Sequence, residues 1–201
     1  MPKVVDHQAR RIELAEAVWQ VIARDGIAEV SVRAVAAAAG WSTGTLGHYF
    51  RSRADLVAFA AELVVERVTE RVVARLQDLP TRLTPIERAR ALLVETMPGD
   101  PERFTESSIA FAFLALGLRD PRLAAIQQRH FGGMYDLCRT LVHDLASHGA
   151  PLAGSSPDSA ARRLHAVVDG LSVHVLAGHL TAEDMATELD AHLATLASSP
   201  G

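Results

Sequence analysis

With 201 residues, 49% of them hydrophobic and only 5% aromatic, the chain has enough apolar material for a sizeable core and too much for general disorder. One cysteine, Cys138, excludes an internal disulfide and a thiolate zinc cluster, and a net charge of −4 excludes an overall basic coat for nucleic acid. The charge is uneven: residues 1–56 hold seven Lys/Arg against six Asp/Glu, residues 57–201 thirteen Arg against eighteen Asp/Glu, so the N-terminal part can approach phosphate.

The opening residues, Met1 to Asp6, contain no apolar run of signal-peptide length, and no segment approaches membrane-spanning length. A cytoplasmic protein without a membrane partner is expected. Periodicity and punctuation then predict nine helices and no strand, an all-α fold. The first runs from Gln8 to Arg24, with Ile12, Ala15, Trp19 and Ile22 on one face. Ser31 caps a second that ends at Gly40, with Val30 and Val35 as its hydrophobic staple, and Ser42 caps a third with Trp41 and Leu46 as the staple pair. A fourth opens at Ser52, with Asp55 completing a capping box, and continues to Leu79 on the apolar face Leu56, Phe59, Leu63, Val68, Val72 and Leu76. Helices over 85–97, 104–117 and 121–147 follow, then a linker-like stretch from Ala150 to Ser156, an eighth helix after Ser156-Pro157 and a ninth from Thr181 to Ala197.

Two short capped helices joined by a glycine turn at residues 31–50 define a helix-turn-helix, in which the second helix enters the major groove. Ala36 and Ala39 are small enough for the helices to cross, and Val35, Leu46 and Phe50 anchor them. Ser31, Ser42, Thr43, Thr45, His48 and Tyr49 supply polar groups for bases and phosphates, with Trp41 at the turn, Gly47 in the reading helix, and Arg33 and Arg53 as flanking phosphate clamps.

The run from Ala39 to Leu56, AGWSTGTLGHYFRSRADL, resembles the signature of TetR-family repressors, and the likeness extends back through Ser31, Gly26, Ala15 and Ile12. The resemblance implies a DNA-binding domain over residues 1–52, a ligand-binding and dimerisation domain over residues 53–201, and a homodimer on a double-stranded palindromic operator. It also implies release of the operator when a small, largely apolar effector occupies the second domain. The family usually carries a tyrosine where this chain has Gly47. Either Tyr49 and His48 take over the missing contact, or the glycine lets the backbone approach DNA closely. An all-helical carrier or enzyme that only resembles a regulator is the competing reading.

Behind the head, aromatic and soft side chains concentrate on the sixth and seventh helices, and Phe104, Phe111, Phe113, Leu114, His130, Phe131, Met134 and Tyr135 are the expected effector-binding set. The apolar stripes Leu164, Val168, Leu171, Val175 and Met185, Leu189, Leu193, Leu196 on the last two helices are the expected dimer seam. His165 and Asp169, with His174 and His179 nearby, have a spacing that can hold a metal, but the sequence fixes no third ligand. No metal, cofactor or catalytic residue is expected.

Overall fold

The computed structural model describes residues 7–117 and 120–198. Among them the helices are α1 (His7–Asp25), α2 (Val32–Ala39), α3 (Thr43–Gly47), α4 (Arg53–Asp78), α5 (Pro85–Leu93), α6 (Pro101–Gly117), α7 (Pro121–Ser147), α8 (Pro157–Leu176) and α9 (Ala182–Ala197), with no strand. No helix of the described residues is long and apolar enough to cross a membrane.

The caps are where the sequence puts them. Ser31, Ser42 and Ser52 accept the backbone N–H of Ala34, Thr45 and Asp55 at 3.2, 3.0 and 3.1 Å. The capping box at Ser52 is incomplete, because the Asp55 carboxylate accepts the N–H of Arg51 and pairs with Arg122 at the start of α7. Full boxes form instead at Thr84–Glu87 and Thr181–Asp184. The helix expected over 85–97 stops at Leu93 in a 3-10 turn, since Met97 precedes Pro98 and takes an extended conformation. α6 begins three residues earlier than expected: Asp100 accepts the N–H of Arg103 ahead of Pro101, the same cap-proline signal as Thr84-Pro85. The linker-like stretch is also anchored. Leu152 is buried, which holds it and Ala153 in left-handed backbone (φ 51° and 50°).

Two apolar cores result. The first joins α1, α2 and α3 to the first three turns of α4, from Leu56 to Val64, and takes in Ile109, Leu123 and Ile126 from α6 and α7. The packing of the head therefore does not end at residue 52. The second core is built from α5, the later part of α7, α8 and α9. All of Leu164, Val168, Val175, Met185, Leu189, Leu193 and Leu196 lie inside it, and Leu171 packs against it. That corrects the expected dimer seam: both stripes close the protomer's own core. Beyond Val64, α4 loses cover, and Leu76 at the end of its apolar face is 53% exposed.

Candidate functional site

The reading head is assembled around the turn between α2 and α3. Gly40 takes φ +67°, the left-handed conformation that ends α2. Its N–H reaches Ala37 O, and the N–H of Trp41 reaches Ala36 O at 2.9 Å, the double closure that satisfies the last carbonyls of a helix. Behind the turn, Val30, Val35, Ala36, Leu46 and Phe50 are buried. In front of it, Thr43, Thr45, His48 and Tyr49 are all exposed, as is Arg33.

Four residues expected to contact DNA have structural duties instead or as well. Ser31 and Ser42 are the caps, and Ser42 also shares a 2.8 Å hydrogen bond with the Thr45 hydroxyl. Trp41 is half-buried: its indole N–H donates to Glu13 Oε1 at 2.8 Å, Arg10 lies 4.6 Å over its ring, and Tyr49 packs at 5.6 Å between centroids. The indole pins α3 to α1 and aims Tyr49. Arg53 departs furthest from expectation. Its guanidinium donates to the carbonyls of Val30, Ile27 and Ala28 at 2.9–3.1 Å. It ties the start of α4 to the turn after α1, and this corrects the phosphate-clamp reading. Gly47 is not demanded by the fold, because a Cβ there would meet nothing within 4 Å.

A hollow of about 30 Å³ lies between α4, α6, α7 and α8. Val64, Val68, Phe111, Phe131, Met134 and Val168 form its apolar walls. Of the expected set, Phe111, His130, Phe131 and Met134 line it. Phe104 does not: two turns, about 10 Å, separate it from Phe111 along α6, and it sits in a separate cleft against Ile22 and Ile27 of the head. Leu114 is exposed, and Tyr135 turns aside to Arg162 of α8, 5.9 Å from its ring. The side chain of Phe113 lies outside the described residues.

The hollow also holds polar residues absent from that set. Glu106, 2% exposed, meets a bidentate Arg71 of α4, with Nη1 donating to Oε1 at 2.9 Å and Nη2 to the other oxygen. Asp169 faces the same space, and burial pushes its carboxyl above the ordinary range, against the pull of His165 beside it (3.4 Å). Burial, with help from His165, pushes His130 below its ordinary value and keeps the ring neutral. The Nε2 atoms of His165 and of Gln127, which lines a smaller cavity on the other side of His130, have no hydrogen-bond partner among the described residues. Asp169 thus lines the hollow, with His165 behind it. No group of three metal-ligating side chains occurs among the described residues. Cys138 is inert as a nucleophile, since burial and then Asp169 push its thiol up to about 12.

A helix-turn-helix with an open polar face, carried on a helical body with a polar-lined internal hollow, defines a one-component DNA-binding transcriptional regulator. Comparison with known proteins agrees. Residues 14–59 match the family described as bacterial regulatory proteins, tetR family, and residues 85–198 match the BetI-type transcriptional repressor C-terminal domain. The chain is 37% identical over 178 residues, 88% of its length and 83% of the other's, to the HTH-type transcriptional regulator PksA of Bacillus subtilis. It is 29% identical over 180 residues, 89% and 88% of the two lengths, to the regulator BetI of Pectobacterium carotovorum. A Rhodococcus transcriptional regulator superposes with a TM-score of 0.77 at 26% identity, covering 92% and 95% of the two chains. A Saccharomonospora viridis regulator solved in complex with choline superposes at 0.83 and 24% identity, covering 93% and 96%. The chain belongs to the TetR family, with a BetI-type C-terminal domain.

Proposed function

We propose that this cytoplasmic regulator represses transcription as a homodimer on a palindromic operator and is released when a small effector, apolar in body and positively charged at one end, enters the hollow. The observation that carries the charge is the pair of carboxylates, buried Glu106 and half-buried Asp169, set among the rings of Phe111 and Phe131. Carboxylates and aromatic faces together suit an organic cation, the class to which choline belongs. The expectation of a largely apolar effector is thereby sharpened, not replaced.

Room for about two waters is all the hollow now offers. An occupant of any larger size must part its walls, and one wall is α4. Glu106 holds Arg71 of that helix, and one turn toward the head Arg67 bridges Glu16 of α1 at 2.7 Å and Glu102 of α6 at 3.2 Å, beneath the ring of Trp19. A cation competing with Arg71 for Glu106 loosens the first of these ties, and the second carries the shift to α1 and so to Trp41. Such coupling is typically worth ~1–3 kcal/mol. The operator-bound state requires two heads about 34–36 Å apart.

The dimer seam is assigned to the outward faces of the last two helices. Ala166, Gly170 and Val173 of α8 and its C-cap Ala177 recur at i, i+4, i+7 and i+11, opposite the buried stripe, and Ala191 and Ala194 are exposed on α9. Their small side chains let helices of a second copy approach closely. Val173 is 45% exposed in the single chain.

The test is fluorescence anisotropy of the full chain on DNA from its own upstream region. The pair Thr45→Ala and Tyr49→Ala is expected to weaken binding about 10- to 100-fold with the thermal midpoint unchanged. Equal binding by wild type and variant overturns the reading and favours a carrier, which has no use for those side chains.

A further inference from the structure

A groove between α4 and α7, of about 210 Å³, runs outward from the hollow and shares Val68, Thr96, His130 and Met134 with it. Its own lining is apolar: Val65, Val72, Val73 and Leu137. The two threonines in it have their hydroxyls committed to helix carbonyls, Thr69 to Val65 O and Thr96 to Leu93 O, both at 2.7 Å. No carboxylate lines the groove, and its one charged lining residue is Arg129. At the outer end Val73 is 46% exposed.

Gly133 of α7 lines the same groove. A Cβ there would meet nothing within 4 Å, so no neighbour forbids a side chain. Glycine in mid-helix weakens the helix, and here it follows a second glycine, Gly132. Nothing in the packing of the protomer calls for it. What its absent side chain does is leave the groove bare.

We infer that hollow and groove are two compartments of one site, and that the effector is an amphiphilic organic cation: head among Glu106, Asp169 and the phenylalanines, apolar tail along α4 and α7. Polarity runs the right way for that orientation. The carboxylates sit at the inner end, and none of the described residues lining the groove carries a negative charge to hold a positive head there. The inference rests on the cationic reading of the hollow proposed above and adds the tail.

The probes are tetramethylammonium and its n-alkyltrimethylammonium series up to decyl, titrated calorimetrically into the full-length protein below micelle-forming concentrations. Each methylene that enters the groove is expected to tighten binding about fourfold, the transfer free energy of one buried CH₂ converted to a ratio. The heat capacity of binding should grow more negative along the series. Gly133→Leu is expected to erase the gain with chain length while tetramethylammonium binds as before, and Val73→Asp, at the outer end, should penalise only the longest chains. Affinity independent of chain length overturns the inference, as does a Gly133→Leu variant that loses head and tail binding equally. If neutral 1-decanol binds as tightly as the decyl cation, the cationic head falls. A loss of decanol binding in Gly133→Leu would then still support the groove, so the two failures are distinguishable.

Discussion

The two cores of this molecule are built on different terms. The head core is dry: apolar side chains from α1 to α4 interlock with Ile109, Leu123 and Ile126 of the body, its polar residues face outward, and its ion pairs lie at the surface. The body holds a second core and, beside it, a hollow lined by two carboxylates and His130, with Arg71 of α4 held on one of those carboxylates. A dry core has one good arrangement. A hollow holding charges that must be matched has a second arrangement available whenever another cation supplies the match. The contrast teaches where each task sits, with the part that reads DNA made stiff and the part that senses made exchangeable.

The sharpest way to break this comparison is Arg71→Ala. It leaves Glu106 buried without its partner, and about 3–5 kcal/mol of stability should be lost in chemical denaturation. The joint replacement Arg71→Met with Glu106→Gln should restore most of it while abolishing the response to organic cations. A loss under 1 kcal/mol for Arg71→Ala would mean that the hollow is wetter and less demanding than described. Next in size, Leu189→Ala should cost about 2–5 kcal/mol and leave the sedimenting species a dimer. Dissociation without loss of stability would return that stripe to the subunit seam.

A smaller effect follows from pH. Cation binding requires the ionised form of Asp169, whose carboxyl is raised by burial and opposed by His165. As pH falls, protons therefore displace the ligand earlier than they would at an ordinary carboxylate. Of the other groups that face this space, His130 gains charge only at lower pH than usual and then repels the ligand, Cys138 stays neutral, and Glu106 keeps Arg71. Tetramethylammonium titrated from pH 8 to 5 should lose affinity monotonically, and a flat profile removes Asp169 from the site. Smallest of all, Gly47→Ala should stabilise the protein by about 0.5–1 kcal/mol. Unchanged operator affinity in that variant means that Tyr49 and His48 have taken over the contact. A marked loss means that the bare backbone lies against DNA.

How much of this was readable from the chain differs between the same two regions, for a physical reason. Caps, the glycine turn and staples act within five residues, so Ser31, Gly40 and Ser42 declare the head locally. The hollow collects Val64, Glu106, His130 and Asp169 from four helices, and no local rule joins them. The stripes on α8 and α9 announce burial correctly but cannot say against what. Charge misled in a similar way. Glu106 and Asp169 look like solvated residues until Arg71 and the packing of α6 on α8 are known. The available signal for Glu106 was that it is the last charged residue of α6, with only small and apolar residues after it. Arg53 was misassigned because its partners are backbone carbonyls, which leave no trace in the residue pattern.

Arg53 also bears on where the molecule would bend in the proposed release. By gripping the carbonyls of residues 27, 28 and 30 it makes the start of α4 part of the head, and the all-round burial that continues to Val64 extends that grip along three turns. The fulcrum must then lie beyond Val64, where α4 meets the hollow. From there to Arg53 the helix is a lever about 16 Å long, so a tilt of about 5° at the fulcrum moves its far end by roughly 1.4 Å. In the proposed homodimer two such levers swinging in mirrored directions would double the change in spacing between the heads, so that a slight widening of the hollow would suffice to spoil the fit to successive turns of DNA.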